Sequence, residues 1–296
     1  MEFDKDEAEV LARAFANVSS STNYSAEFQR HKNNIEQNHA FLFANDAPVT
    51  EMSEHLNIEF AQPQLNLAIK QLKKNSASGE DQNTYEFSQQ IPATGSLAIL
   101  RLFNAIWRRC LPKSWKHAIV IPILKTGKDP HRASSYRPIS LTSTLSKLME
   151  RLVTNRLMWY LEKFDLLSNT QSGFRRGRST AYHIIQLHDL TTKHQHNKGY
   201  VLGVFVDFEK AFDMVWRKGL LIKLKKFGIN GRVFDWIADF TIDRTFQVRV
   251  GDALSAIYTL ENGTNQGSMI SPSLFISMID DLPNSLQNVQ TSSDGH

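Results

Sequence analysis

At 296 residues, with 41% hydrophobic and 22% charged content, the chain is long enough for one large domain or two ordinary ones, with a real core. The single cysteine, Cys110, excludes an intrachain disulfide, and no apolar run is long enough to span a bilayer. The formal charge of +4 conceals an asymmetry: residues 1–60 carry 11 acids against 4 Lys/Arg, while the rest carry 30 Lys/Arg against 19 acids. A basic body behind an acidic lead points to a polyanionic partner, with ordinary solvated surface charge as the alternative.

In chain order, "MEFDKDEAEV" is acidic and polar, the opposite of a signal peptide, so an intracellular protein (nucleus or cytoplasm) is expected. Residues 1–60, Asn- and Ser-rich, read as an acidic polar linker or N-terminal extension with a short helix at each end. Leu65, Ala68, Ile69 and Leu72 keep helical spacing, and "NSASGE" stops that helix. Leu97, Leu100, Phe103, Ile106 and Trp107 mark a second helix. "AIVIPIL" (118–124) predicts a strand, with Pro122 suggesting an edge or bulge. A long helix is expected over roughly 143–164, and another from near Ser179 with Ala181, Ile184 and Ile185. A strand over 201–207, two helices around 220–227 and 233–240, and an alternating strand in "TFQVRVG" follow. Ser271-Pro272 starts a helix. The sum is a mixed α/β (α+β) chain, rich in helix.

The stretch "VLGVFVDFEKAFDMVW" (201–216) carries the chemical question. An apolar run ending on Asp207 would tip a buried strand with a carboxylate, and a bound Mg²⁺ would offset the cost of burying it. The plainer reading has Asp207 capping the next helix and Asp213 solvated. Glu209 and Asp213 are expected to point away from Asp207, because the chain turns helical between them. The histidines 183, 188, 194 and 196 lack a ligand framework for a metal. Lys125-Thr126-Gly127-Lys128 lacks the glycines and following helix of a phosphate loop. Asp280-Asp281 falls at a helix end with no strand before it.

Four blocks in order carry a family resemblance. "FVDFEKAFDMVW" resembles the first catalytic motif of reverse transcriptases from non-LTR retrotransposons. Residues 115–157 look like the finger region of that family, "NTQSGFRRGRST" (169–180) like its next block, and "NQGSMISPSLFISMIDDLP" (265–283) like its Gln-Gly motif. Order and spacing agree with the jockey-like branch. The resemblance implies a right-hand polymerase: fingers over 61–200, an incomplete palm over 201–296, and no thumb. It implies RNA-directed DNA polymerisation by two-metal nucleotidyl transfer. The partners would be an RNA template, a DNA primer and deoxynucleoside triphosphates, with no membrane and no obligate protein partner.

By the same resemblance, Asp207 would be catalytic and hold Mg²⁺ together with the backbone carbonyl of Phe208. Phe212 would lie under the incoming sugar and exclude a 2′-hydroxyl, although periodicity alone favours a core aromatic. Lys125 and Arg137 would grip the triphosphate. Gln266 and Gly267 would pack on the nucleotide, Gly267 allowing close backbone approach. Arg175, Arg176 and Arg178 would meet the template–primer backbone, with the basic tract 101–132 beside them. The family's remaining ligands, two adjacent aspartates on a hairpin, have no match in "QNVQTSSDGH". Little or no polymerase activity is therefore expected of this chain, as is an open sheet edge with marginal stability. The alternatives are a non-catalytic nucleic-acid-binding remnant of a retrotransposon, and a metal-dependent nuclease using Asp207, Glu209 and Asp213.

Overall fold

Four apolar positions near the start, Ala8, Leu11, Ala12 and Phe15, recur at helical spacing and decide where the chain begins to pack. The computed structural model describes residues 2–44, 48–72, 77–79, 81–196 and 199–285. Those four residues are buried on α1 (Glu2–Val18), against Ala118, Val120, Phe246 and Val248 of the sheet. The linker expectation for 1–60 therefore does not hold. Polar composition hid a one-sided apolar stripe, and one stripe is enough to dock a helix. Helices α2 (Ala26–Asn38), α3 (Phe41–Ala44) and α4 (Glu51–Asn57) follow, and Leu56 and Phe60 enter the main core.

That core is helical. Helices α5 (Gln62–Lys70), α6 (Tyr85–Gln90) and α7 (Ala93–Trp107) precede the first strands, β1 (His117–Leu124) and β2 (Tyr136–Leu141). The long α8 (Thr144–Lys163) runs through the core's middle, burying Leu148, Met149, Leu152, Val153, Leu157 and Leu161. Each such side chain contributes about 1.5–3 kcal/mol by leaving water. Arg156 of α8 is buried with them, and its two terminal nitrogens are bonded to main-chain and side-chain oxygens. Its guanidinium donates to Ile58 O (2.5 Å), Glu59 O (2.9 Å) and Gln64 Oε1 (2.9 Å), and lies 4.1 Å from the Phe60 ring centre. Burial lowers its pKa to about 10.

After α8 come α9 (Thr180–His196), α10 (Arg217–Lys226) and α11 (Arg232–Thr241), then β3 (Thr245–Val250), β4 (Ala253–Leu254) and β5 (Tyr258–Thr259). Helices α12 (Ser271–Ile279), with Pro272 in its first turn as expected, and α13 (Leu282–Ser285) end the described chain. The sheet runs β2-β1-β3-β4, and β5 also pairs with β3. β1 is antiparallel to β2 from Ile119↔Leu141 to Leu124↔Tyr136, and parallel to β3 from His117↔Thr245 to Val120↔Val248. Pro122 lies past the β3 pairing, where β1 is bonded on one side only, so its missing N–H leaves no ladder bond unmade. The alternation in 245–250 holds, with Phe246 and Val248 buried.

The strand expected over 201–207 is absent. Residues 199–208 form neither strand nor helix, and Tyr200 and Phe205 are 98% and 86% exposed. β-branched and aromatic residues favour a strand only when a neighbouring strand supplies hydrogen bonds and cross-strand contacts. Among the described residues none lies beside this segment, and both flanks of β1 near its start are taken by β2 and β3. Helix α9 forms where expected but has no buried residue, and Ile184 and Ile185 are each 66% exposed. The tail "QNVQTSSDGH", with Asp294, lies outside the described residues.

Candidate nucleotide site

A hollow of about 580 Å³ opens where the β1–β2 turn, the segment after 206, the loop before α12 and the end of α1 converge. Lys125, Arg137, Asp207, Phe208, Phe212 and Gln266, drawn from separate stretches of the chain, all line it. So do Glu209, Lys210 and Asp213, which makes three cations facing three carboxylates. Such a mixture suits a ligand that brings both anionic oxygens and a counter-cation.

Each wall has a local cause. Lys125 follows β1, where its main-chain N–H donates to Ser135 O (2.8 Å) and its Nζ to Ser134 O (2.9 Å). Arg137 on β2 is exposed and makes no hydrogen bond or ion pair among the described residues, so its donors face open space. Asp207 is exposed, which removes the premise of a buried carboxylate: without the strand, nothing carries it inward. It lines the hollow all the same.

Past Asp207 the chain turns. Lys210 sits at φ +55°, and the N–H groups of Asp213 and Met214 both donate to Lys210 O, at 3.0 and 3.1 Å. This turn brings Asp213 back to the hollow, which Glu209 also lines, yet among the described residues the three carboxylates do not gather as a metal site. Gln266 Nε2 lies 3.0 Å from each Asp213 carboxylate oxygen. Burial raises the Asp213 pKa, opposed by the Gln266 hydrogen bond and by the charges of Lys210 and Lys125. Phe212 packs on Phe275, ring centres 5.0 Å apart and ring planes inclined by 36°, and it also lines the hollow.

The loop carrying Gln266 is held from several sides. Arg217 donates to Gly263 O (2.9 Å), Leu260 O (2.7 Å) and Asn262 O (3.1 Å), and burial lowers its pKa to about 10. Glu150 of α8, buried, accepts from Ser268 Oγ (2.6 Å) and Met269 N (2.8 Å). Gly263 N donates to Val215 O (2.9 Å) and Thr264 N to Phe212 O (2.7 Å), lacing the two walls together. Gln266 O accepts from Ser140 N of β2 (2.9 Å), and a Cβ on Gly267 would come within 2.9 Å of Ser140 O. Close backbone approach at Gly267 is thus real, but its partner is β2.

The expected arginine loop divides. Arg175 is buried, and its donors are spent on Glu162 (2.6 and 2.8 Å), Ser168 O (2.8 Å) and Gln171 O (3.1 Å). Four of its five N–H donors are engaged in organising the loop, and the side chain is buried rather than presented to solvent. Arg178 bonds Asn169 O at 2.5 Å, Arg176 is exposed, and none of the three lines the hollow. Within 101–132, Lys116 is buried on Asp239 (2.5 Å) and Arg108 pairs with Glu59 (2.5 Å), whereas Arg101, Arg109 and Lys113 stay exposed. Asp280 accepts from Ser168 N at 2.7 Å, a structural use that fits its reading as unrelated to the site.

Sequence reasoning missed that Asp213 faces inward and that Phe15, Val18 and Ser19 of the first segment form a wall. The helical spacing through Phe15 was a usable signal for the second. Nothing in the local pattern announced the turn at Lys210. Among the described residues no three His, Cys, Asp or Glu side chains cluster as a metal site, and no helix is long and apolar enough to cross a membrane.

The mixed fold and this hollow define the class first: an α/β protein with a cavity lined by cations, carboxylates and aromatic rings. The profile of reverse transcriptase (RNA-dependent DNA polymerase) matches residues 123–293, and the chain belongs to that family. It is 38% identical over 221 residues to "Probable RNA-directed DNA polymerase from transposon BS" of Drosophila melanogaster, covering 73% of this chain and 24% of that protein. It is 32% identical over 263 residues to "RNA-directed DNA polymerase from mobile element jockey" of the same species, covering 85% and 28%. The jockey protein of Drosophila funebris is 34% identical over 224 residues, covering 75% and 24%. This is the jockey-like, non-LTR kind of reverse transcriptase domain that the four blocks resemble. The chain spans about a quarter of the length of these relatives.

Proposed function

We propose that this chain carries the nucleotide-binding part of an RNA-directed DNA polymerase, with fingers over 61–200 and part of the palm from 201. The observation that supports this most is the convergence of Lys125, Arg137, Asp207, Phe208, Phe212 and Gln266 on one hollow. In this reading Lys125 and Arg137 neutralise the triphosphate, Arg137 with a planar fork matched to phosphate oxygens. The Phe212 ring lies under the sugar and disfavours a 2′-hydroxyl. A divalent ion fits the donor set as magnesium usually does, through one or two carboxylates plus the substrate's own phosphates. Asp207 and the Phe208 carbonyl would hold it, and when bound it supplies charge neutralisation at the reacting phosphate. An RNA template and a DNA primer would lie across the exposed basic residues of 101–132 and Arg176.

Asp207 is exposed and its flanking run is unpaired, which favours a second reading: a nucleic-acid- and nucleotide-binding remnant that does not catalyse. Two measurements separate the readings. Equilibrium binding of Mg²⁺–deoxynucleotide should weaken in Arg137→Ala, and absence of binding by the wild type would remove both roles of the hollow. Primer extension on an RNA template should be weak or undetectable, and robust synthesis that depends on Asp207 would overturn the non-catalytic reading.

A further inference from the structure

Gln266 and Asp213 lie 53 residues apart in sequence, yet their side chains meet inside the hollow with Nε2 at 3.0 Å from both carboxylate oxygens. Everything around the pair is already fixed. Gln266 O is held by Ser140 N, Thr264 N by Phe212 O, and Gly263 N by Val215 O. Gly263 adopts φ +82°, and a Cβ there would come within 2.7 Å of the Asp213 carbonyl carbon. The only freedom left to Gln266 is rotation of its side chain. An amide has one donor end and one acceptor end, and a carboxylate accepts only. Asp213 therefore decides which end of Gln266 faces it.

We propose that Asp213 is a positioning residue for the bound nucleotide: by taking the Gln266 amide N–H groups, it leaves Oε1 as the acceptor offered to a base or sugar donor in the hollow. This rests on reading the hollow as a nucleotide site, and it assigns a role to the third acid of the 207–213 segment that involves no metal. Lys125, Lys210, Asp207 and Glu209 share the hollow and set its field, but among the described residues none of them hydrogen-bonds the Gln266 amide.

The test is calorimetric binding of deoxythymidine triphosphate with Mg²⁺ to the full chain. Wild type is compared with Asp213→Ala, Asp213→Asn, Asp213→Glu, Gln266→Ala and the double variant Asp213→Ala/Gln266→Ala, each checked by thermal melting. Asp213→Ala and Gln266→Ala should each weaken affinity by about tenfold, the upper size expected for losing one neutral hydrogen bond to the ligand. The double variant should be no weaker than either single, and Asp213→Glu should recover most of the loss. Asp213→Asn keeps the volume and should lose affinity with a near-native melt, which separates positioning from folding. Unchanged affinity in Asp213→Asn, or losses that multiply to about a hundredfold in the double variant, overturns the proposal while leaving the nucleotide site standing. No nucleotide binding by a folded wild type overturns the site itself, and this role with it.

Discussion

Gly263 offers the sharpest test of how the two walls of the hollow are joined. Its φ of +82° would cost an alanine about 1–2 kcal/mol by left-handed strain alone. The added methyl would also lie inside contact distance of the Asp213 main chain, at 2.7 Å from C and 2.8 Å from Cα. Backbone cannot rotate out of the way as a long side chain can. Overpacking of this kind adds about 1–3 kcal/mol, so Gly263→Ala should cost roughly 2–5 kcal/mol. Relieving the clash would stretch the bonds Gly263 N to Val215 O and Thr264 N to Phe212 O. Gly127 is the internal control, with φ +72° and nothing within 4 Å of an added Cβ, so Gly127→Ala carries the strain without the clash. Urea denaturation of both variants and the wild type measures the difference. A Gly263→Ala loss no larger than that of Gly127→Ala would refute the claim that close approach, not conformation, requires this glycine.

Other substitutions probe the remaining supports. Arg156→Met keeps apolar bulk but takes away the side-chain donors of Ile58 O and Glu59 O, and should cost about 3–5 kcal/mol by urea denaturation. Leu11→Ala should cost about 2–5 kcal/mol if α1 is part of the core, and a loss below about 0.5 kcal/mol would return it to the status of a tail. Because burial raises the Asp213 pKa, the folded state holds a proton that the unfolded state has lost, in the window just above the ordinary aspartate value of about 3.9. The Asp213 contribution to stability therefore falls as pH rises through that window. Wild type should gain on Asp213→Asn as pH is lowered from about 7 to about 4, and a pH-independent difference would contradict the shift.

Much of the fold was legible because it depends on local pattern. The helices over Thr144–Lys163, Arg217–Lys226 and Arg232–Thr241 follow from apolar spacing, and the strand Thr245–Val250 from strict alternation. Pro122 marked the half of β1 bonded on one side. The failures depend on partners. The run 201–206 has every intrinsic feature of a strand but no neighbour among the described residues, so propensity had nothing to act through. Arg175 reads as an exposed cation in a glycine-containing loop, and only the return of Ser168, Gln171 and Glu162 around it reveals a buried knot. Gly267 does allow a close backbone approach, which the structure shows toward Ser140 O of β2. Site residues were found by family resemblance, whereas the inward turn of Asp213 depends on the conformation of Lys210, which no side-chain pattern encodes.

The parallel pairing of β1 with β3 has a consequence in time. The floor on which α1 rests is completed by Phe246 and Val248, about 230 residues downstream of Phe15. At synthesis speeds of about 5–20 residues per second, a nascent chain would carry the α1 stripe uncovered for roughly 10–50 s. Helices α4, α5, α7 and α8 of the helical core are made before β3, whereas Ile270, Leu274 and Ile276 join that core only after it. The topology thus makes the first helix of the chain wait for one of its last strands before its apolar stripe is fully covered.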